Sequence, residues 1–148
     1  HGWYLGLGTW RHYAAEWAGW HPFPVTMATN IVTALNVSLK NLLATGLEER
    51  QACYRDLALY LRANLRRIGF EPFTTDEEMA PVLTAAYGPA GVDTRQIVSF
   101  VAVNYGIKIS PGFGEQLQDK IIRIGHLTSA VTKEDVDRLI TALAAFVA

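Results

Sequence analysis

A chain of 148 residues has the size of one ordinary domain, and half of its residues are apolar, above the usual share for a domain standing entirely in water. The formal net charge of −1 is spread over scattered acids and bases, which argues against a basic nucleic-acid face and against an acidic tail. A single cysteine, Cys53, rules out an internal disulfide framework and fits a reducing, cytoplasmic setting, while no apolar run is long enough to span a bilayer and no signal-peptide pattern opens the chain.

All four tryptophans, Trp3, Trp10, Trp17 and Trp20, fall in the first twenty residues. The chain opens on His1-Gly2 without an initiator methionine and turns aromatic at once, so it reads as entered part-way. Trp10, Tyr13 and Trp17 are spaced three and four apart, which predicts a short helix over about 9–18 with one aromatic face. His21-Pro-Phe-Pro-Val25 carries two prolines two apart, which forbid regular helix and favour an extended path. A helix then runs from about Thr29 or Asn30 to Thr45, with Ile31, Leu35, Leu39 and Leu42 as its expected buried face. Gly46 ends it. A longer helix follows over about 47–68, with Tyr54, Leu57, Leu61, Leu65 and Ile68 on one face and Gly69 as its stop. Cys53 sits inside that helix and is expected to be a buried, inert thiol.

Short strands are expected at Phe70–Phe73, Val82–Tyr87 and Ile107–Ile109, with a helix between the last two. That helix opens at Asp93 as N-cap, with a Val92–Ile97 staple, and closes near Asn104-Tyr105-Gly106. Ser110 to Glu115 is a glycine-containing loop without the flanking pattern of a phosphate-binding loop. In Ile122-Arg123-Ile124 a period of two sends Arg123 to the face opposite the isoleucines, and Gly125 then lets the backbone turn. An arginine so placed can offer a planar, two-pronged donor to a carboxylate or phosphate, or it is an ordinary exposed arginine on a half-buried strand. The last helix starts with Thr132 and Asp135 as cap and partner and a Val131–Val136 staple, and buries Val136, Leu139, Ile140, Leu143 and Phe146. The order of elements predicts an α+β fold, a small, mostly antiparallel sheet with helices packed on one face.

The residue types for several chemistries are absent or badly spaced. His12, His21 and His126 lack zinc-ligand spacing, and one cysteine cannot complete a thiolate site, so no metal is expected. There is no Gly-x-Ser-x-Gly elbow. Of Lys40, Lys108, Lys120 and Lys133, Lys40 and Lys133 lie on helices among polar neighbours, where nothing would lower the pKa as a Schiff-base lysine requires. No complete catalytic set is present.

Taken in order, Pro24-Val-Thr-Met27 before a long helix, Gly46-Leu-Glu48, Leu65 to Phe70 before a strand, Gly112-Phe-Gly114 and Arg123-Ile-Gly-His-Leu127 resemble the C-terminal part of class V aminotransferases. These are the alanine–glyoxylate and serine–pyruvate branch of the fold-type-I enzymes that use pyridoxal phosphate. The resemblance implies that Arg123 binds the substrate α-carboxylate and that Thr26 reaches the cofactor phosphate of the other subunit of a homodimer. It departs at Phe23, where the family often has an aromatic hydroxyl, at Pro111, where it often has glycine, and at Thr128, where glycine commonly closes the arginine motif. A related cysteine desulfurase would need a reactive cysteine on a mobile loop, against which mid-helix Cys53 speaks.

In that family the lysine that holds the cofactor, and the aspartate that pairs with its ring nitrogen, lie in a preceding large domain, and none of the lysines here matches. The resemblance therefore implies residues 1–30 as an aromatic-rich segment from the large-domain side and 31–148 as the small domain. It implies an enzyme that moves an amino group between a small amino acid and a 2-oxo acid such as glyoxylate or pyruvate, with no catalytic residue of its own in this stretch and a missing N-terminal large domain as partner. The alternative is a non-enzymatic α+β module that associates through its aromatic N-terminal face.

Overall fold

The structure is a computed structural model and describes residues 2–148. The chain divides into two compact units, His1–Ala44 and Thr45–Ala148. The first unit holds helix α1 (Leu7–Glu16) and nearly all of helix α2 (Thr29–Thr45). Helix α1 begins two residues before the aromatic spacing suggested, and its aromatic side chains pack on one another. Tyr13 stacks on Trp17 with ring centres 6.3 Å apart, and Trp17 lies 5.6 Å from Trp20. The Trp10 indole N–H donates to the Tyr4 carbonyl at 2.7 Å.

Neither helix of this unit buries a residue. The expected buried face of α2 is a correction: Ile31, Leu35 and Leu39 are exposed and Leu42 is only half-buried. Periodicity shows which side of a helix is apolar, but burial needs a second surface to lie against. Among the described residues none covers this one.

The second unit carries the core. Helix α3 (Leu47–Arg67) is followed by strand β1 (Glu71–Pro72), strand β2 (Leu83–Tyr87), helix α4 (Thr94–Tyr105), strand β3 (Ser110–Pro111), strand β4 (Ile121–Gly125) and helix α5 (Lys133–Val147). The strands form one sheet in the order β1-β2-β4-β3, with every pair antiparallel. Thr84 and Ala86 of β2 and Ile122 and Ile124 of β4 are buried and share one face, because Thr84 pairs with Ile124 and Ala86 with Ile122. Leu61 and Leu65 of α3, Ile97 and Val101 of α4, and Val136, Leu139 and Leu143 of α5 close over that face. This is the α+β arrangement expected, with the helices on one side of the sheet.

Local signals set the helix ends. Asp93 caps α4 by accepting from the Arg95 amide at 2.9 Å, and Gly106 closes the helix in the left-handed conformation. Thr132 and Asp135 form the reciprocal capping box at the start of α5. The expected strand at Ile107–Ile109 is not one: Ile107 and Ile109 are half-buried and Lys108 is exposed, but none of the three pairs in the sheet, and the ladder begins at Ser110, opposite Arg123. Apolar alternation placed Ile107 and Ile109 against the core correctly, while the pairing was set by the register of β4. Cys53 is also corrected, since its thiol is exposed. The buried positions of α3, Ala58, Leu61, Arg62 and Leu65, all lie beyond it, so the N-terminal half of the helix runs clear of the sheet.

Candidate carboxylate-binding site on the open sheet face

Alternation along β4 decides where Arg123 goes. Ile122 and Ile124 face the helices, so Arg123 must face the other way. In register it stands opposite Ala85 on one side and Ser110 on the other. Both neighbours are small, which leaves room for the long side chain. Arg123 is half-buried, and its Nε–H donates to the Pro111 carbonyl at 2.9 Å. That bond engages Nε, and among the described residues no hydrogen bond engages the two terminal nitrogens, a pair of donors that can serve a carboxylate through two parallel hydrogen bonds. Among the described residues no carboxylate forms an ion pair with it; the pairs present engage Arg62, Arg66, Arg95, Arg138 and Lys133.

The loop after β3 is fitted around this arginine. The Gly112 amide donates to the Ile121 carbonyl at 2.8 Å, and a Cβ at Gly112 would stand 1.9 Å from the Leu117 carbonyl oxygen. Gly114 has φ +74°, which L side chains rarely adopt. The two glycines thus set the path of the backbone through Phe113. Its ring centre is 5.9 Å from the guanidinium carbon of Arg123, within reach of a cation–π contact, and the ring is 82 % exposed.

On the other face of the sheet lies a group that the periodicity argument passed over. Arg62 of α3 is only 1 % exposed. It donates to Thr84 Oγ1 at 3.3 Å and to the carbonyls of Asp76, Ala80 and Leu83 at 3.3, 2.8 and 3.4 Å, and it pairs with the Asp76 carboxylate at 3.5 Å. Thr84 Oγ1 in turn meets His126 Nε2 at 2.9 Å, and the His126 amide donates to the Val82 carbonyl at 2.9 Å. His126 Nδ1 is buried without a hydrogen-bond partner. Burial, and then the charge of Arg62, push the pKa of His126 below its ordinary value, so the ring is held neutral. The signal for Arg62 was its position, four residues after Ala58 and three before Leu65, inside the apolar stripe of α3.

Thr26, the other expected site residue, lies exposed in the irregular segment between the two prolines and α2. It belongs to the first unit and Arg123 to the second. The lysines do not fit a cofactor-bearing role. All of them are exposed, and Tyr60 and then Asp137 raise the pKa of Lys133 rather than lowering it. An amine that must attack a carbonyl needs the opposite shift.

No protein-family model matches the chain. Alanine–glyoxylate aminotransferase of Oryctolagus cuniculus is 39% identical over 113 residues, which make up 76% of this chain and 29% of that protein. Pyridoxamine–pyruvate transaminase of Mesorhizobium japonicum is 32% identical over 124 residues, 83% of this chain and 30% of that protein. Among solved structures, alanine–glyoxylate aminotransferase from Nostoc sp. superposes with a TM-score of 0.83 at 28% identity, covering 97% of this chain and 37% of that one. Ureidoglycine–glyoxylate aminotransferase from Bacillus subtilis gives 0.80 at 28% identity, covering 97% and 36%. The chain therefore spans less than two fifths of the length of each of these relatives.

Proposed function

By sequence and by fold the chain matches the C-terminal part of a class V aminotransferase, and from that premise we propose that it is the small-domain portion of a pyridoxal-phosphate-dependent transaminase. The complete enzyme moves an amino group between a small amino acid and a 2-oxo acid such as glyoxylate or pyruvate. The observation that carries this reading is the state of Arg123. It is anchored through Nε, it has no carboxylate of its own among the described residues, and it keeps its two terminal nitrogens for a ligand. Its role is to bind and orient the α-carboxylate, and so to fix the reacting carbon in place.

The related aminotransferases are pyridoxal phosphate enzymes. The lysines of this chain do not suit attachment of that cofactor, so the attachment residue belongs to a large domain outside this segment. Thr26 contributes a hydroxyl to the cofactor phosphate across a homodimer, for which its exposure in an irregular segment speaks. The bare apolar face of α2, with Leu43 73 % exposed, supports a chain made to be covered by more protein. The single cysteine favours a cytoplasmic setting.

Transamination by the complete enzyme tests the reading through Arg123→Lys and Arg123→Ala. Losing a hydrogen bond to a charged group costs about 1.5–3 kcal/mol, which corresponds to roughly ten- to a hundredfold in kcat/KM. Lysine keeps the charge without the fork, so it should be impaired as well. The loss should fall on every α-carboxylate substrate and spare amines that have none. Equal losses for both kinds would return Arg123 to a purely structural role.

A further inference from the structure

Phe113 stands exposed beside an anchored arginine. The backbone on either side of Phe113 is closely fitted, since Gly112 cannot carry a Cβ and the Leu117 and Gln118 amides close a turn on the Gly114 carbonyl at 3.3 and 3.1 Å. The ring belongs to two surroundings at once. It lies 5.9 Å from the Arg123 guanidinium, and with Gly114, Glu115, Gln116 and Leu117 it lines an open cavity of about 360 Å³. A carboxylate seated on the terminal nitrogens of Arg123 would bring its own carbon substituent close to an aromatic surface that already lies beside the guanidinium.

We propose that Phe113 is the specificity-determining wall of the Arg123 site, covering the carbon substituent of a bound aliphatic monocarboxylate. The inference rests on the carboxylate role given to Arg123 above and adds what that role does not contain, a reason for the site to discriminate among carboxylates. The guanidinium reads the charge, which formate and butyrate share. The ring reads the apolar carbon, which they do not. Each methylene placed against the ring is removed from water on one side, so affinity should rise about twofold per added carbon, less than for complete burial.

The test uses the 148-residue chain itself, with arginine side chains labelled for nitrogen NMR and titrated at pH 7 with formate, acetate, propionate and butyrate. Binding should appear as a saturable shift of Arg123 and tighten along the series, with nuclear Overhauser contacts from the propionate and butyrate methyl groups to the Phe113 ring. In Phe113→Ala the Arg123 shift should persist and the gain with carbon number should flatten to within about twofold overall, while Phe113→Leu should recover part of it. Backbone amide spectra of both variants report whether the fold is kept. Binding at Arg123 with an unchanged gradient in Phe113→Ala, and no ring contacts, would overturn the inference and leave the carboxylate role standing. No shift at Arg123 with any of the four acids would overturn both.

Discussion

The two faces of the sheet each present an arginine, and they treat it in opposite ways. Under the helices, Arg62 spends its donors on Thr84, on the carbonyls of Asp76, Ala80 and Leu83, and on the Asp76 carboxylate. On the open face, Arg123 gives one bond to Pro111 and keeps the rest. A buried guanidinium without partners would be prohibitively costly, so full engagement marks Arg62 as part of the fold. A half-buried guanidinium with free nitrogens is affordable because water can serve them, and it stays available to a ligand. The contrast teaches that an arginine's function is read from which of its donors the protein leaves unspent.

Removing each arginine should separate the two roles most sharply. Arg62→Ala leaves Asp76 with Arg66 as its one remaining ion-pair partner among the described residues and deprives Thr84 and the Asp76, Ala80 and Leu83 carbonyls of their donor, and should destabilise the Thr45–Ala148 unit by about 3 kcal/mol, read as a lowered urea midpoint. Arg123→Ala should cost less, about 1 kcal/mol, the size of the one hydrogen bond to Pro111 that it removes. If the two losses were comparable, the division between a folding and a binding arginine would fail.

The loop that frames Arg123 gives the next largest effect. Gly112→Ala drives a Cβ into the Leu117 backbone, and overpacking of this kind costs about 2 kcal/mol. Because the intruding contact is with backbone, the loop must move, and the Phe113 ring should leave Arg123. Loss of ring-current shifts on the Arg123 side chain would report that movement even where stability is partly recovered.

The smallest effect concerns His126, which belongs to the Arg62 face. Its folded-state pKa lies below the ordinary value of 6.5, because of burial and then Arg62. The unfolded chain therefore binds a proton first as pH falls, so the stability contributed by neutral His126 is complete above about pH 6.5 and is lost as pH falls toward the folded-state pKa. His126→Gln should flatten that part of the stability–pH curve, measured by urea unfolding between pH 7 and 5, and should leave the carboxylate response of Arg123 in place.

Much of the second unit is legible in the sequence because its signals are local. The Asp93 cap, the Gly106 stop and the Thr132–Asp135 box each need only residues within one turn, and the period of two in β4 suffices to put Arg123 opposite the isoleucines. What was not legible depends on partners distant in the chain. Arg62 reads as a polar interruption of an apolar stripe until Thr84 and Asp76 are brought to it. The start of β3 at Ser110 is set by pairing with Arg123, not by the Ile107–Ile109 alternation. The α2 stripe and Cys53 fail for one reason, that an apolar helical face or a mid-helix position is buried only where another surface reaches it. The role of Phe113 has no sequence signal of its own, since it rests on a loop whose shape two glycines decide.

The most direct measurement of the central claim is a titration of the side-chain nitrogen resonances of all arginines in this chain with pyruvate and with alanine. The account predicts a saturable shift at the terminal nitrogens of Arg123, retained in His126→Gln, reduced when chloride replaces the carboxylate, and absent at Arg62. No response at Arg123, or a uniform drift of every exposed arginine with no saturation, would contradict it.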